Sequence, residues 1–390
     1  MARGNFPTDR FSKWPTPFYY YDTTLLDETL RAINTQMQRH KGYHMHYAVK
    51  ACAHPQVLRH IRQAGLGADC VSGGEIQAAL DAGFPARQIV FAGVGKADWE
   101  IKLGLQAGIQ YFNVESLAEL QVINELAVEC GRRADVCLRI NPEVGAHTHD
   151  HIATGRAEDK FGIAMQDMDR VIRLAAEMPG IRFAGLHFHI GSQLLVMDDF
   201  VALAHRINEL QEELEAKGIG PVECINVGGG LGIDYHDPDS HPVPAFEAYF
   251  STYATHLRLR PGQQLHFELG RAIVAQCGSL IARCLYVKQG TAKQFVILDA
   301  GMNDLIRPAL YGAYHRVENL SSEGDQQLYD VVGPICESSD VFVRDHLMPL
   351  TRRGDLIAIR STGAYGETMA SQYNCRPLPK GYTTEDLALD

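Results

Sequence analysis

Several features are missing from the 390-residue sequence, and each absence narrows the class of protein. No apolar run approaches the roughly 18 residues that a membrane-spanning helix needs. The nine cysteines include no C-x-x-C pair and no spacing typical of a zinc site. Lysine and arginine total 36 against 47 acidic residues, and a net charge of −11 argues against a nucleic-acid-binding protein. Low-complexity segments are absent too, so the sequence predicts a globular chain of two or three domains.

The compartment is predicted from the start of the chain and from its thiols. Residues 1–14 carry no apolar stretch of the kind that a signal peptide has. The number of cysteines is odd, which disfavours a complete set of disulfides. We therefore expect reduced thiols and a cytoplasmic location, with neither a membrane nor a nucleic acid as partner. An acidic or zwitterionic small molecule still fits as a substrate, because an arginine pocket can exist inside an acidic protein.

Short β-like runs alternate with helical patterns between residues 40 and 270. Helix starts are indicated by Pro55, Ser72 and Ser116, and glycines follow the apolar-periodic stretches. The eight predicted strands are 44–49, 68–71, 88–91, 111–114, 135–140, 183–188, 224–227 and 265–268. Eight strand–helix units favour a (β/α)8 barrel, and no G-x-G-x-x-G turn follows the first strand as an open dinucleotide-binding sheet requires.

The pattern changes to an all-β domain near residue 272. Predicted strands there are 273–287, 294–298, 328–332, 340–342 and 355–360, with few helical stretches between them. Residues 18–21 are also strand-like and are a candidate to pair into this second domain. We place the domain boundaries near residues 24 and 275.

Lys50 ends the first predicted barrel strand, in the run His44-Met-His46-Tyr-Ala-Val-Lys50. A lysine at the end of a buried strand is either a surface residue or a nucleophile that forms a Schiff base. Partial burial lowers the pKa of a lysine, which leaves its amine unprotonated and reactive. Its position alone favours a surface lysine, so the choice between these two roles depends on the residues elsewhere in the chain.

Other chemically useful residues also follow predicted strands. Active sites of (β/α)8 barrels lie at the C-terminal ends of the strands, and the loops after strands seven and eight often bind phosphate. Three glycines in a row let backbone N–H groups point at one oxyanion, and an arginine supplies countercharge. The residues concerned are Asp69 in strand two, His189 and Ser192 after strand six, Gly228 to Gly232 after strand seven, and Glu268, Gly270 and Arg271 at strand eight.

A phosphate site beside a nucleophilic lysine indicates pyridoxal phosphate. This cofactor acts best with its ring nitrogen protonated, and Glu268 is a candidate to hold that proton. His189 is a candidate to stack on the ring. A class I aldolase would combine the same barrel, lysine and phosphate, but the lysine lies on an early strand and a large β domain follows. His147, His149 and His151 alternate between Asn141-Pro-Glu and Thr154-Gly155, as residues of a loop would, so we expect no metal.

Five motifs, in order over nearly the whole chain, resemble those of the fold-type III pyridoxal-phosphate decarboxylases. They are Tyr47-Ala-Val-Lys50, His189-Ile-Gly-Ser-Gln193, Gly228-Gly-Gly-Leu-Gly232, Glu268-Leu-Gly-Arg271 and Gly333-Pro-Ile-Cys-Glu-Ser-Ser-Asp340. The resemblance implies a pyridoxal-phosphate-binding (β/α)8 barrel of residues 24–275. It also implies a β-domain of residues 1–23 and 276–390 that contributes substrate and dimer-interface residues. Cys52 and Leu269 depart from the family's usual asparagine and proline, and neither change removes a charged or catalytic group.

The same resemblance implies roles for individual residues. Lys50 would hold the cofactor and His189 would stack on it, which makes both catalytic. Cofactor binding would also involve Asp69, Ser192, Gly229, Gly230, Glu268, Gly270, Arg271 and Tyr365. Substrate binding would involve Arg271, Arg307, Tyr311, Glu337 and Tyr365. Cys336, as a catalytic proton donor, and Glu337 would reach the active site of the other subunit, so the resemblance implies a homodimer with sites at its interface.

Within the family, the chain looks most like the members that act on meso-diaminopimelate and release CO2 to give L-lysine. This substrate carries an amino-acid group at each end. Arg307 suits its distal carboxylate through a bidentate pair, and Glu337 suits its distal ammonium. A thiol such as that of Cys336 is a suitable acid to protonate the carbon that has lost CO2.

Three other functions stay open at this point. A sibling decarboxylase would act on ornithine, lysine or a siderophore precursor, and it would not need Arg307. A racemase would require a second acid–base residue on the opposite face of the ring. A non-catalytic regulatory relative could have lost Lys50, Glu268 and Cys336, and their presence argues against it.

Overall fold

The computed structural model of the protein describes residues 6–144 and 160–388. They form two compact units. The first unit consists of residues 30–232 and 245–270, and the second unit consists of the residues up to 29, residues 233–244 and the residues from 271 onward. His147, His149 and His151 lie outside the described residues. Within the described ranges, no group of side chains is suited to hold a metal ion. No described helix combines the length and the apolar character that a membrane span requires.

Sixteen strands occur in the described part of the chain. In chain order they are β1 Phe18–Tyr21, β2 Tyr43–Ala48, β3 Gly67–Cys70, β4 Ile89–Phe91, β5 Tyr111–Val114, β6 Ala134–Arg139, β7 Ile181–His187, β8 Cys224–Asn226, β9 Gln264–Leu269, β10 Gly278–Gln289, β11 Gln294–Leu298, β12 Val317–Asn319, β13 Gln326–Val332, β14 Val341–Pro349, β15 Leu356–Ile359 and β16 Lys380–Thr383.

Eleven α-helices occur in the same part of the chain. They are α1 Thr8–Phe11, α2 Thr23–Arg39, α3 Pro55–Gln63, α4 Gly73–Asp81, α5 Asp98–Ala107, α6 Leu117–Glu129, α7 Met168–Glu177, α8 Met197–Ala216, α9 Phe246–His256, α10 Arg271–Val274 and α11 Arg307–Tyr311.

The strands β2 to β9 form a closed parallel barrel. The barrel closes where β9 pairs with β2, in a register that sets Tyr43 opposite Leu265 and Tyr47 opposite Leu269. All eight strands predicted for this region are present, and their ends differ from the prediction by two residues at most. Because the strands are parallel, their C-terminal ends share one face of the barrel. The predicted (β/α)8 fold is therefore confirmed.

The predicted helix signals act as expected. The Ser72 hydroxyl accepts a hydrogen bond from the N–H of Glu75, and Ser116 does the same for Glu119. Pro55 occupies the first turn of α3, where its missing N–H costs nothing. The glycines predicted to end helices all adopt the left-handed conformation that glycine tolerates, namely Gly65, Gly83, Gly108, Gly131 and Gly218.

The second unit is built on an eight-stranded sheet. Its main path runs β12-β15-β10-β11-β13-β14, and β1 lies between β10 and β16. The predicted strand 18–21 thus pairs into this sheet, with Phe18 opposite Ile281. Trp14 and Tyr382 stack 4.1 Å apart beside Phe18, which attaches the N-terminal segment to the sheet.

Two strand predictions for this unit need correction, and two of its strands have no counterpart in the prediction. The strand predicted from residue 273 begins at Gly278, because the chain first makes the helical turn α10, in which the N–H of Ala275 donates to the carbonyl of Arg271. A short apolar run fits a buried helix and a buried strand equally well, so the pattern could not separate them. The strand predicted at 340–342 extends to Pro349 through exposed polar residues. The strands β12 and β16 were not predicted.

Candidate active site

Lys50 lies in a single 3-10 turn, Val49–Ala51, which directly follows β2. The flanking Val49 and Ala51 are buried, whereas the Lys50 side chain is 44% exposed. Its Nζ lies 3.9 Å from Oδ2 of Asp69, which β3 carries. The lysine therefore stands at the C-terminal face of the barrel, partly open to solvent and within reach of one buried carboxylate.

Asp69 is a buried acid in a crowded electrostatic environment. Burial raises the pKa of Asp69 well above its usual value, and the negative charge of Glu268 adds to the increase while Lys50 opposes it. Its Oδ1 is buried and accepts no hydrogen bond from the described residues. Such a group favours a cation or a protonated partner beside it. Lys50 is the cation that the structure provides.

Glu268, on β9, is buried and accepts three hydrogen bonds from side chains of the barrel interior. Its Oε1 accepts from the amides of Asn113 at 2.8 Å and Asn226 at 2.7 Å. Its Oε2 lies 2.9 Å from Nε2 of His187, which donates to it. Burial raises the pKa of Glu268, but His187, Lys50 and Asn226 lower it by more, so the pKa lies below its usual value. The carboxylate is therefore ionised and firmly held.

The glycine turn after β8 is tied to Glu268 through the backbone. The N–H of Glu268 donates to the carbonyl of Gly228 at 2.8 Å, and the N–H of Gly228 donates to Oδ1 of Asn226 at 2.9 Å. The sequence predicts that the N–H groups of all three glycines point at one anion. The N–H of Gly228 points to Asn226 instead. A Cβ atom on Gly229 would lie 2.2 Å from the carbonyl oxygen of Glu268, so this position requires glycine.

Gly270 brings the end of β9 against the turn that carries Lys50. A Cβ atom at Gly270 would lie 3.0 Å from that of Ala51 and 3.1 Å from that of Ala48. A larger residue would push the two segments apart. The small side chains on both sides therefore fix the distance between the base of Lys50 and the end of the eighth barrel strand.

His189 follows the end of β7, and its ring is fixed by the glycine turn. Its Nδ1 accepts a long hydrogen bond, 3.3 Å, from the N–H of Gly229. Burial, with the positive charges of Arg139 and Lys50, holds the pKa of His189 well below its usual value. The imidazole is therefore neutral. Ser192 lies partly buried in the same loop.

The second unit carries a cluster of two arginines and three tyrosines. Arg271 lies 5.1 Å from the ring centre of Tyr365 and donates a hydrogen bond to the hydroxyl of Tyr235. Arg307, at the start of α11, lies 5.7–6.0 Å from the rings of Tyr235, Tyr311 and Tyr365. Both guanidinium groups are buried. The sequence prediction thus named four of these five residues, and only Tyr235 was missed.

Arg307 has no carboxylate partner among the described residues, although only 6% of it is exposed. Burial lowers its pKa, and the neighbouring charge of Arg271 acts in the same direction. A buried charge is costly unless an opposite charge compensates it. The cluster is therefore suited to bind an anion such as a carboxylate or a phosphate.

Cys336 and Glu337 lie on an exposed turn between β13 and β14. The turn is fixed by Asp340, whose carboxylate accepts hydrogen bonds from the N–H groups of Ile335 and Met302. Glu337 accepts a hydrogen bond of 2.6 Å from the hydroxyl of Tyr373. Both predicted side chains are thus presented to solvent by a rigid turn.

Sequence reasoning missed three residues that contact Glu268, namely Asn113, His187 and Asn226. His187 had a usable signal, since it lies two residues before His189 and a strand turns alternate residues to the same face. Asn226 directly precedes Val227 and the glycine turn, but an asparagine at a strand end is also typical of a plain turn. Nothing in the sequence marks Asn113 as a functional residue, because the strand that contains it is recognised only by its apolar residues.

These residues fit pyridoxal phosphate. A fixed carboxylate suits the ring N–H, the turn with its required glycine suits a phosphate, and the lysine suits the aldehyde. The chain belongs to the pyridoxal-dependent decarboxylases, since the family model for their pyridoxal binding domain matches residues 25–275.

Relatives within this family cover nearly the whole chain. The diaminopimelate decarboxylase of Bacteroides thetaiotaomicron is 65% identical over 99% of this chain and 100% of its own length. That of Zymomonas mobilis is 42% identical over 94% of this chain and 87% of its own. The crystal structure of diaminopimelate decarboxylase from Helicobacter pylori complexed with L-lysine has a TM-score of 0.91 at 38% identity, covering 97% of this chain and 94% of that one.

Proposed function

We propose that the protein removes the carboxylate at the D-configured centre of meso-diaminopimelate, which gives L-lysine and CO2. The names of the relatives support this reaction over that of a sibling decarboxylase. The observation that carries the proposal is Arg307, a buried arginine that lacks an acidic partner among the described residues. Meso-diaminopimelate has a second carboxylate at its far end, whereas ornithine and lysine have none. Arg307 therefore distinguishes the two classes of substrate.

The cofactor, pyridoxal phosphate, supplies an aldehyde that condenses with amines and a ring that accepts the electron pair left behind by CO2. We assign Lys50 as the amine that attaches it, with Asp69 as the carboxylate beside that amine. Glu268, whose pKa is lowered, would hold the proton on the ring nitrogen, and His189, a neutral imidazole, would stack on the ring. The remaining cofactor-binding residues, which serve the phosphate and its surroundings, are Ser192, Gly229, Gly230, Gly270, Arg271 and Tyr365.

The substrate requires groups of both signs. We assign the distal carboxylate to Arg307 with Tyr311, Tyr365 and Arg271 beside it, because all four belong to one cluster whose two arginines are buried. The distal ammonium is assigned to Glu337. When the bond between Cα and the carboxylate breaks, CO2 leaves and the same carbon must gain one proton. The thiol of Cys336 is proposed as its donor.

The active unit is proposed to be a homodimer in which Cys336 and Glu337 serve the active site of the partner subunit. Its support is that both side chains are exposed in the single chain, on a turn fixed by Asp340. An exposed thiol and carboxylate suit a role at a subunit interface better than a role in packing. The β-domain of residues 1–23 and 276–390 would then make the dimer contacts. The barrel of residues 24–275 would bind the cofactor.

A cytoplasmic location is part of the same proposal. The nine cysteines all lie in the described part of the chain and none of them forms a disulfide, which suits a reducing compartment.

The reaction is tested by measuring CO2 release from meso-diaminopimelate, L-lysine and L-ornithine with added pyridoxal phosphate. We expect turnover of meso-diaminopimelate and little of the other two. Lys50→Ala should abolish turnover, while Lys102→Ala, which changes an exposed lysine on α5, should leave it unchanged. Turnover of ornithine or lysine without turnover of meso-diaminopimelate would show that the substrate is wrong.

A further inference from the structure

We propose that His187 is a positioning residue, which holds the carboxylate of Glu268 in line with the ring nitrogen of the cofactor. This inference rests on the proposed function only in that pyridoxal phosphate binds and Glu268 faces its ring. It concerns a residue that none of the sequence motifs includes. It also goes beyond the contact between Glu268 and the ring, because it explains how that contact is oriented.

The position of His187 is fixed by the barrel. It is the last residue of β7 and lies opposite Asn226 of β8 in the parallel register. Its side chain is 2% exposed and that of Glu268 is 6% exposed. A hydrogen bond of 2.9 Å to a carboxylate in such a dry environment is strong, because water does not compete for either partner.

The hydrogen bond from His187 leaves part of the acceptor capacity of the Glu268 carboxylate unused. An ionised carboxylate has about four lone-pair positions, two on each oxygen. Asn113 and Asn226 occupy both positions on Oε1, and His187 occupies one on Oε2. The described residues therefore leave one acceptor position on Oε2. A protonated ring nitrogen is a single donor and fits that one position.

Among the described residues, His187 makes no second side-chain hydrogen bond that would explain its presence. Its Nδ1 is buried and has no hydrogen-bond partner among the described residues. A histidine kept only for packing could be replaced by an apolar residue that avoids this cost. The bond from Nε2 to Glu268 is thus the side-chain hydrogen bond that this residue makes in the barrel. Without it, only the two amides at Oε1 would orient the carboxylate.

The test compares pyridoxal phosphate with its analogue in which the ring nitrogen is replaced by C–H. The dissociation constants of both are measured from the absorbance of the bound cofactor, for the wild type, His187→Leu and His187→Gln, in the absence of substrate. We expect the wild type to prefer pyridoxal phosphate. His187→Leu should reduce that preference about tenfold, while His187→Gln, whose amide keeps a donor near the Nε2 position, should keep it within about twofold.

The outcomes separate this inference from the proposed reaction. If His187→Leu keeps the wild-type preference, or if the wild type has none, the inference is wrong whatever substrate is turned over. If the preference falls as expected while meso-diaminopimelate is not decarboxylated, the inference holds and the proposed substrate fails. Thermal unfolding verifies that each variant is folded, and His187→Ala replaces the leucine variant should that one not fold, with the same expectation.

Discussion

The Nε of Arg307 lies 3.3 Å from Nε2 of His315, and the Nδ1 of that histidine lies 3.0 Å from the carbonyl oxygen of Arg360. Burial and the positive charge of Arg307 lower the pKa of His315 to about 3, so its ring is neutral. Nδ1 then donates to the carbonyl, and Nε2 accepts from Arg307. The histidine therefore sets the orientation of the guanidinium group without neutralising its charge.

Replacing His315 should weaken substrate binding more than the chemical step. For His315→Leu we expect KM for meso-diaminopimelate to rise about tenfold, because the loss of one hydrogen bond to a charged group is worth about 1.5 kcal/mol. The value of kcat should change by less than about threefold. His315→Gln, which keeps an acceptor, should be closer to the wild type. Steady-state kinetics check both, and an unchanged KM in the leucine variant would contradict the assignment.

An ion pair shielded from water is attached to β5, the barrel strand that carries Asn113. The Nζ of Lys96 lies 2.6 Å from Oε1 of Glu119 and also donates to the carbonyl oxygens of Gly93 and Asn113. The lysine side chain is 1% exposed. Lys96→Met would leave a buried carboxylate without its partner, so we expect the free energy of unfolding to fall by about 3–5 kcal/mol.

A matched pair on the surface is the control for this prediction. Lys102 and Glu129 form an exposed pair at 3.0 Å. Lys102→Met should leave the urea midpoint unchanged, because exposed pairs contribute little. The double variant Lys96→Met with Glu119→Gln should recover part of the loss. Equal midpoints for the two lysine variants would show that the buried pair is not structural.

Stability should fall on mild acidification because of buried histidines. His46, whose Nε2 lies 2.9 Å from Nδ1 of His266, is fully buried, and burial lowers its pKa to about 4. The unfolded chain has a histidine pKa near 6.5, so it binds the proton first. The contribution of neutral His46 is complete above pH 6.5 and is lost as the pH falls toward 4. The slope is about 1.4 kcal/mol per pH unit.

The measurement is urea unfolding between pH 7 and pH 4.5. His46→Gln should flatten the slope in this range, while His241→Gln, which changes an exposed histidine, should leave it as in the wild type. An unaltered slope in the first variant would contradict the burial of a neutral His46.

The proposed sharing of the active site can be tested by mixing inactive subunits. Lys50→Ala and Cys336→Ala are each expected to be inactive as pure dimers. A hybrid of the two contains one site with both native residues, so equal mixing after dissociation should restore about a quarter of wild-type activity. If the mixture stays inactive although hybrids have formed, Cys336 does not act across an interface.

The sequence predicted the elements that have regular patterns. The eight barrel strands were found because buried parallel strands are short apolar runs separated by helices with clear caps at Ser72 and Ser116. It also placed Lys50 and Glu268 at the C-terminal face. The predicted strand 273–287 overlaps the helical turn Arg271–Val274 at Ile273 and Val274, because these two residues are buried in either conformation.

The contacts around the predicted residues could not be predicted from the sequence. The distance of 2.9 Å between His187 and Glu268 depends on the register of β7, β8 and β9, and a strand pattern does not fix register between distant segments. The same holds for Tyr235, which joins Arg271 and Arg307 from a segment 36 residues before the first of them. The sequence therefore predicts most of the residues that do the chemistry, including Tyr311 and Tyr365, whereas the side chains that orient Glu268 become visible only in the fold.

The central claim is that Arg307 selects a substrate with a carboxylate at its far end. The most direct measurement is kcat/KM for CO2 release from meso-diaminopimelate and from L-lysine, in the wild type and in Arg307→Ala. We predict that the variant loses about 10–100-fold on meso-diaminopimelate, the value of a charge-assisted pair, with no loss on L-lysine. An equal loss on both substrates would contradict the claim.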